Sequence, residues 1–178
     1  MGFLLVSIVL IVLAALFLVE HQASPTRLRD RTVLAIFLSM VIPLISMLVE
    51  HVFRNPELNL FTVPGIIVFI AGAAVRFFAR RTLGQFFTYE VAVHKQHQLV
   101  TSGMYTYVRH PLYTGILLLW FGAAITLQSS TGFLLVMVML VPALWSRMNI
   151  EEAFLIKTFG KKYQTYMRTT KRLIPFVY

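Results

Sequence analysis

Apolar residues gather in five stretches of this chain, separated by polar passages of very unequal length. Residues 3–19 form an uninterrupted apolar run, just long enough to cross a bilayer as a helix. Residues 33–49 predict a second span, with a kink at Pro43. Residues 60–78 predict a third, with Pro64 and Gly65 early and Arg76 near its end. Gly72, Ala73 and Ala74 give that helix a small-residue packing face. Residues 112–127 and 132–145 predict the fourth and fifth spans, a hairpin joined by the uncharged turn Gln128-Ser129-Ser130-Thr131. Both are short at about 1.5 Å of rise per residue, so their ends are expected to extend into flanking polar residues. From Arg147 onward Phe154, Leu155, Phe159, Tyr163 and Tyr166 recur at helical spacing, with Lys157, Lys161 and Lys162 on other faces. That pattern predicts an interfacial amphipathic helix with Gly160 as its weak point. The expected fold is all-α: five transmembrane helices and a C-terminal amphipathic helix. It forms one membrane domain over residues 1–178, with residues 1–79 as a three-helix anchor and 80–178 as the chemical portion.

Composition supports a membrane setting. Of 178 residues, 58% are hydrophobic and only 13% charged, more apolar surface than a soluble domain of this length buries. The apolar start lacks a basic leader and a clear cleavage site, so it reads as a retained span. The formal charge is +9, but the basic residues cluster at the ends of apolar runs. Their partner is then the headgroup region of membrane lipids and not nucleic acid. With five spans, Arg27, Arg29, Arg31, Arg80, Arg81, Lys95, Arg109 and the basic tail share one side, and Arg54 stands on the other. The positive-inside rule makes the first side cytoplasmic and puts the N-terminus outside. The absence of cysteine excludes disulfides, thiolate catalysis and cysteine-based metal sites. His94 and His97 are three apart with only Glu90 nearby, a poor metal set, and no GxG glycine loop occurs.

The candidate chemistry lies in the polar island of residues 97–113, HQLVTSGMYTYVRHPLY, and in Arg147, Glu151 and Glu152. Pro111 forbids helix at His110 and suits the first turn of the span that follows. His110 is thereby held at a helix N-terminus, where exposed N–H groups favour an anionic group. An Arg-His pair snorkelling into headgroups is the plainer reading. Arg147 lies one turn before Glu151 on the same helical face. That pair is either an exposed salt bridge or a cavity lining, with Arg147 for an anion and Glu151 for an ammonium or ribose hydroxyls. Tyr105 and Tyr113 belong either to an aromatic belt or to a surface for adenine or a sulfonium.

Taken together, HQLVTSGMYTYVRHPLYTG and the later RMNIEEAFLIKTFGKKYQTYMRTTKRLIPF resemble the isoprenylcysteine carboxyl methyltransferase family of integral membrane enzymes. Phospholipid N-methyltransferases share much of the pattern. The resemblance covers residues 80–178. It rests on H-x-L-V-x-x-G-x-Y, R-H-P-x-Y, R-x-x-x-E-E and F-G-x-x-Y-x-x-Y in that order. It implies a methyltransferase that uses S-adenosyl-L-methionine without a Rossmann domain. The cofactor would lie at the cytoplasmic ends of the fourth and fifth helices, under the C-terminal helix. His97, Gln98, Leu99, Val100, Tyr105, His110, Pro111, Leu112, Tyr113 and Glu151 match its cofactor contacts. Arg147 matches the residue at the acceptor carboxylate, and Arg147 and His110 are the expected catalytic residues. A family glutamine falls at Glu90, where this sequence departs from the pattern. The chain is short for the eukaryotic members, which implies a prokaryotic one. The acceptor is then a lipophilic small molecule or a lipidated group, most readily an isoprenylcysteine-like carboxylate. A carboxylate is already ionised near neutral pH and needs no strong base. A phospholipid amine is the alternative acceptor, with His110 or Glu152 as its base. A non-enzymatic membrane sensor or assembly module is the reading from another class.

Overall fold

A computed structural model describes residues 31–54, 57, 59–84 and 99–175. The expected first span and Glu90, His94, His97 and Gln98 lie outside the described residues. Among those described, the elements are helical. They are α1 (Arg31–Arg54), α2 (Thr62–Leu83), a 3-10 turn (Gly103–Thr106), α3 (Pro111–Thr126), α4 (Ser130–Phe159) and α5 (Lys161–Thr169). Leu34–Arg54, Thr62–Leu83 and Ser130–Phe159 are long and apolar enough to cross a membrane, and α3 is a shorter apolar helix.

The expected fifth span and the amphipathic segment behind it are not separate helices. The span and the part of that segment up to Phe159 run together as the 30 residues of α4, and its remainder, with Tyr163 and Tyr166, is α5. Nothing between Trp145 and Arg147 breaks a helix, and Arg147 is neutralised within it by Glu151 at 3.1 Å. The break falls at Gly160 instead, with φ 54° and ψ −128°. Residues with a Cβ rarely adopt that backbone, so the helix stops and α5 sets off in a new direction. A second irregularity sits earlier in α4. Val136–Leu140 form a π turn that ends two residues before Pro142. Proline has no N–H and its ring collides with the carbonyl four residues back; a widened turn accommodates it.

Helices α2 and α3 make the most extensive contact in the bundle. Gly72 on α2 meets Gly115 on α3, while Gly65 faces Thr126 and Gly122 faces Phe69 along the same contact. A Cβ on Gly72 would stand 2.6 Å from the Leu119 nitrogen and 2.9 Å from the Gly115 carbonyl oxygen. One on Gly122 would stand 2.4 Å from the Phe69 nitrogen. The backbones therefore touch, the close approach that small residues allow between apolar helices. Met47, Phe69, Leu119, Trp120, Leu127, Leu140 and Leu144 fill the space between these helices and α1 and α4. Ile45, Phe53, Ile67, Ile70, Leu134 and Val138 point outward and suit a lipid surround.

The two ends of the bundle differ. At one, Ser129 caps α4 by accepting from the Gly132 N–H at 2.9 Å, and it donates to Glu50 at 2.5 Å. Asn59 donates to Gln128 at 2.7 Å there. The other end gathers the last turns of α2, the first turn of α3 and the second half of α4.

Candidate active site

Pro111 is the first residue of α3 and His110 its N-cap, with φ −124° and ψ 57°. The His110 ring is buried between the two adjacent glutamates of α4. Its Nδ1 lies 3.7 Å from Glu151 Oε2, and its Nε2 lies 3.1 Å from Glu152 Oε1. Neighbouring positions on an α-helix are about 100° apart, so Glu151 and Glu152 face different surroundings.

Glu151 looks toward α3. Arg147 Nε donates to its Oε1 at 3.1 Å, and the Tyr113 hydroxyl donates to the same oxygen. The Tyr113 ring stacks on His110 with centroids 5.6 Å apart. The Arg147 side chain is 4% exposed, yet the Glu151 side chain keeps 24% of its surface open. A partly open carboxylate beside a buried cation accepts an ammonium or hydroxyls from a ligand while the cation takes an anion. From α2, buried Arg76 donates to the Leu112 carbonyl at 3.2 Å and so braces the first turn of α3.

Glu152 is closed off. It accepts from Arg109 Nε at 3.0 Å, from His110, from Arg172 Nε at 3.2 Å and from a second Arg172 nitrogen. Arg109 also donates to the carbonyls of Met167 and Thr170. These contacts fasten residues 170–173 as a strap along the Arg-His-Pro segment. The strap pairs through its backbone too. Arg109 N–H donates to the Lys171 carbonyl at 2.7 Å, and His110 N–H to that of Arg172 at 3.1 Å. Thr114 Oγ1 donates to the Leu173 carbonyl at 2.8 Å. The Arg172 guanidinium lies 5.1 Å over the Trp145 ring. Tyr163 and Tyr166 seat α5, and the Tyr166 hydroxyl donates to the Tyr105 carbonyl at 2.5 Å. Burial pushes the phenols of Tyr105 and Tyr163 well above the usual range and that of Tyr166 up to about 12, against the pull of Arg109 on the last.

Of the residues singled out in the sequence, His110, Tyr113, Arg147 and Glu151 come together. Pro111 and Leu112 frame them, one by starting the helix and the other through its carbonyl. Tyr105 lies buried in the 3-10 turn beneath α5. Leu99 and Val100 are half-buried in the irregular stretch leading to that turn. Glu152 does not suit the base considered for it, because Arg109, His110 and Arg172 already occupy its oxygens. Sequence reasoning missed Arg172 and the inward role of Arg109. The available signal was a carboxylate pair that needs cationic partners, with Arg109 in the polar island and Arg172 in a tail expected to lie over the site.

The profile of the family described as "Phospholipid methyltransferase" matches residues 60–162. The chain is 34% identical over 122 residues to "Probable protein-S-isoprenylcysteine O-methyltransferase" of Oryza sativa subsp. indica, covering 64% of this chain and 60% of that protein. It is 35% identical over 108 residues to "Protein-S-isoprenylcysteine O-methyltransferase" of Schizosaccharomyces pombe, covering 60% and 46%. The protein of the same name from Dictyostelium discoideum is 33% identical over 149 residues, covering 79% and 61%. The matches thus span between 46% and 61% of the length of these relatives. Among solved structures, the chain is similar to the eukaryotic intramembrane Ras methyltransferase ICMT (isoprenylcysteine carboxyl methyltransferase). The TM-score is 0.66 and the identity 26%, covering 79% of this chain and 52% of that one. These relatives are eukaryotic and give no support to a prokaryotic source. Three membrane-length helices and an intramembrane structural neighbour make the chain an integral membrane protein.

Proposed function

Because the chain belongs to the phospholipid methyltransferase family, we propose that it is a membrane methyltransferase. It would use S-adenosylmethionine to methylate a lipophilic acceptor, an isoprenylcysteine-like carboxylate on a small molecule or a lipidated protein. The observation that carries this reading is the meeting of Arg147, Tyr113 and His110 around the partly open carboxylate of Glu151. The names of the similar proteins favour the same acceptor.

The residues fit the cofactor. Glu151 is an acceptor-only group, left open for an ammonium or ribose hydroxyls, and the stacked Tyr113 and His110 rings offer a face to adenine or a cation. His97, Gln98, Leu99, Val100, Tyr105, Pro111 and Leu112 complete the proposed binding set. When bound, S-adenosylmethionine supplies an electrophilic methyl group on a sulfonium. The chain's own residues need no strong base for a carboxylate acceptor, which is already ionised. Arg147 orients that carboxylate, and the buried surroundings exclude competing water. The proposed topology has five spans, an outside N-terminus and a cytoplasmic site, with α5 and the strap lying against membrane lipids. The acceptor then enters sideways from the bilayer.

The family's description favours a second reading, methylation of a phospholipid amine. Such an acceptor must lose a proton, and His110 is the residue at the site with a nitrogen for it. Purified protein in lipid discs, given methyl-labelled cofactor, separates the readings. We expect a base-labile methyl ester on farnesylated N-acetylcysteine. Label on phosphatidylethanolamine alone replaces the first reading with the second, and label on neither overturns both.

A further inference from the structure

We propose that Glu152 is a positioning residue, which fixes the proton of His110 on Nε2 and ties the strap of residues 170–173 across the site. This rests on reading the site as a methyl-donor pocket. Hydrogen-bond valence sets the roles of the two ring nitrogens. An ionised carboxylate only accepts, so the imidazole nitrogen 3.1 Å from Glu152 Oε1 is a donor. In a neutral imidazole the other nitrogen then carries a lone pair. That nitrogen, Nδ1, lies 3.7 Å from Glu151 Oε2, a second acceptor. Two acceptors at this separation repel unless a donor stands between them. A ligand ammonium or hydroxyl supplies one, so Glu152 prepares the gap that Glu151 and His110 present.

The strap follows from the same carboxylate. Arg172 binds Glu152 through its side chain, while its carbonyl accepts from the His110 N–H. Arg109 binds Glu152 and reaches the carbonyls at the end of α5. One group therefore sets both the ring that faces the ligand and the chain that covers it. The adjacent glutamates divide the labour: Glu151 meets the ligand, and Glu152 holds what surrounds Glu151.

The test uses the whole chain in lipid discs with nitrogen-15-labelled histidine, the His110 signals being identified by their loss in His110→Asn. We expect His110 protonated at Nε2 and not at Nδ1 in the wild type; a ring protonated on both nitrogens would donate to both glutamates and overturn the proposal. Glu152→Gln should shift the proton toward Nδ1, because an amide offers the ring a donor as well as an acceptor. Glu152→Asp keeps the charge that faces Arg109 and Arg172 but withdraws the carboxylate by one methylene, so it tests the idea if the glutamine variant misfolds. In both, the Kd for S-adenosylhomocysteine should rise about tenfold or more. Arg172→Lys should keep the Nε2 signature with a smaller loss of affinity, since it loosens the strap alone. If Glu152→Asp changes neither the proton position nor the affinity, the proposal is wrong. A shifted proton with unchanged affinity overturns its functional half. A wild type that does not bind S-adenosylhomocysteine sinks the methyltransferase reading, while the histidine spectrum still decides the role of Glu152. 5′-Methylthioadenosine, which keeps the ribose and lacks the ammonium, identifies the donor. An equal loss with this ligand assigns the gap to a hydroxyl, and no loss assigns it to the ammonium.

Discussion

Tyr113 and Arg147 meet on a single oxygen, Oε1 of Glu151, one reaching it from the first turn of α3 and the other from one turn earlier in α4. Each donor fixes the carboxylate against the other. Tyr113→Phe should leave the fold intact and remove one charge-assisted hydrogen bond. The expected loss is about 1.5–3 kcal/mol, read as a tenfold or greater rise in the Kd of S-adenosylhomocysteine. Unchanged binding would separate Glu151 from the cofactor.

Arg147→Lys should be more damaging to turnover than to cofactor binding. Lysine keeps a charge but not the planar fork that orients a carboxylate. We expect turnover on the farnesylated carboxylate to fall about 100-fold, in the range of removing one oriented donor. Because Arg147 also braces Glu151, binding should weaken modestly as well. Turnover at the wild-type level would remove Arg147 from the acceptor site.

The glycine contacts between α2 and α3 predict a stability effect far from the chemistry. Gly72→Ala places a methyl group 2.6 Å from a backbone nitrogen of α3, so the helices must separate. The cost should be about 1–3 kcal/mol, seen as a lower unfolding temperature in detergent. Gly160→Ala makes a useful contrast, because no atom lies within 4 Å and only its backbone angle is strained. It should cost about 1–3 kcal/mol and loosen α5 without disturbing the bundle, read as faster proteolysis beyond residue 160.

Much of this arrangement was legible in the sequence. Pro111 announced the start of α3, and the four-residue spacing of Arg147 and Glu151 announced their pairing, because both are local rules of helix geometry. The hydropathy of residues 33–49 and 60–78 located α1 and α2, though each helix runs further into its polar flank. What stayed hidden depends on distant partners. Arg172 reaches Glu152 across a helix end at Gly160, a turn and α5, and no periodicity records that fold-back. The merger of the fifth span with the segment beyond it was hidden too, because the charges from Arg147 onward mark the end of an apolar run and hydropathy does not record that the helix continues through them. The glycines of α3 gave no signal alone; they matter only because Gly115 faces Gly72 and Gly122 faces Phe69 across the helix contact.

Alkaline conditions should destabilise the seating of α5. Tyr166 ionises near 10 when unfolded, and burial pushes it up to about 12 in the fold. The folded value is the higher, so as the pH rises the unfolded chain loses its proton first. The contribution of Tyr166 is complete below pH 10 and disappears between about 10 and 12. Burial moves Tyr105 and Tyr163 in the same direction. We expect an unfolding temperature without a tyrosine-dependent fall up to pH 10 and a steep fall above it, accompanied by rising tyrosinate absorbance. Tyr166→Phe should start less stable, having lost the bond to the Tyr105 carbonyl, and fall less steeply.

The π turn at Val136–Leu140 sets the phase of everything behind it. A π turn spends one residue more than an ordinary helical turn on about the same rotation, so the half of α4 behind it stands about 100° away from where an uninterrupted α-helix of the same residues would carry it. Wound as plain α-helix, the same sequence would swing Arg147 and Glu151 away from Tyr113, and Glu152 away from Arg109. A stretch of plain valine, methionine and leucine thus decides which way the side chains of the site point.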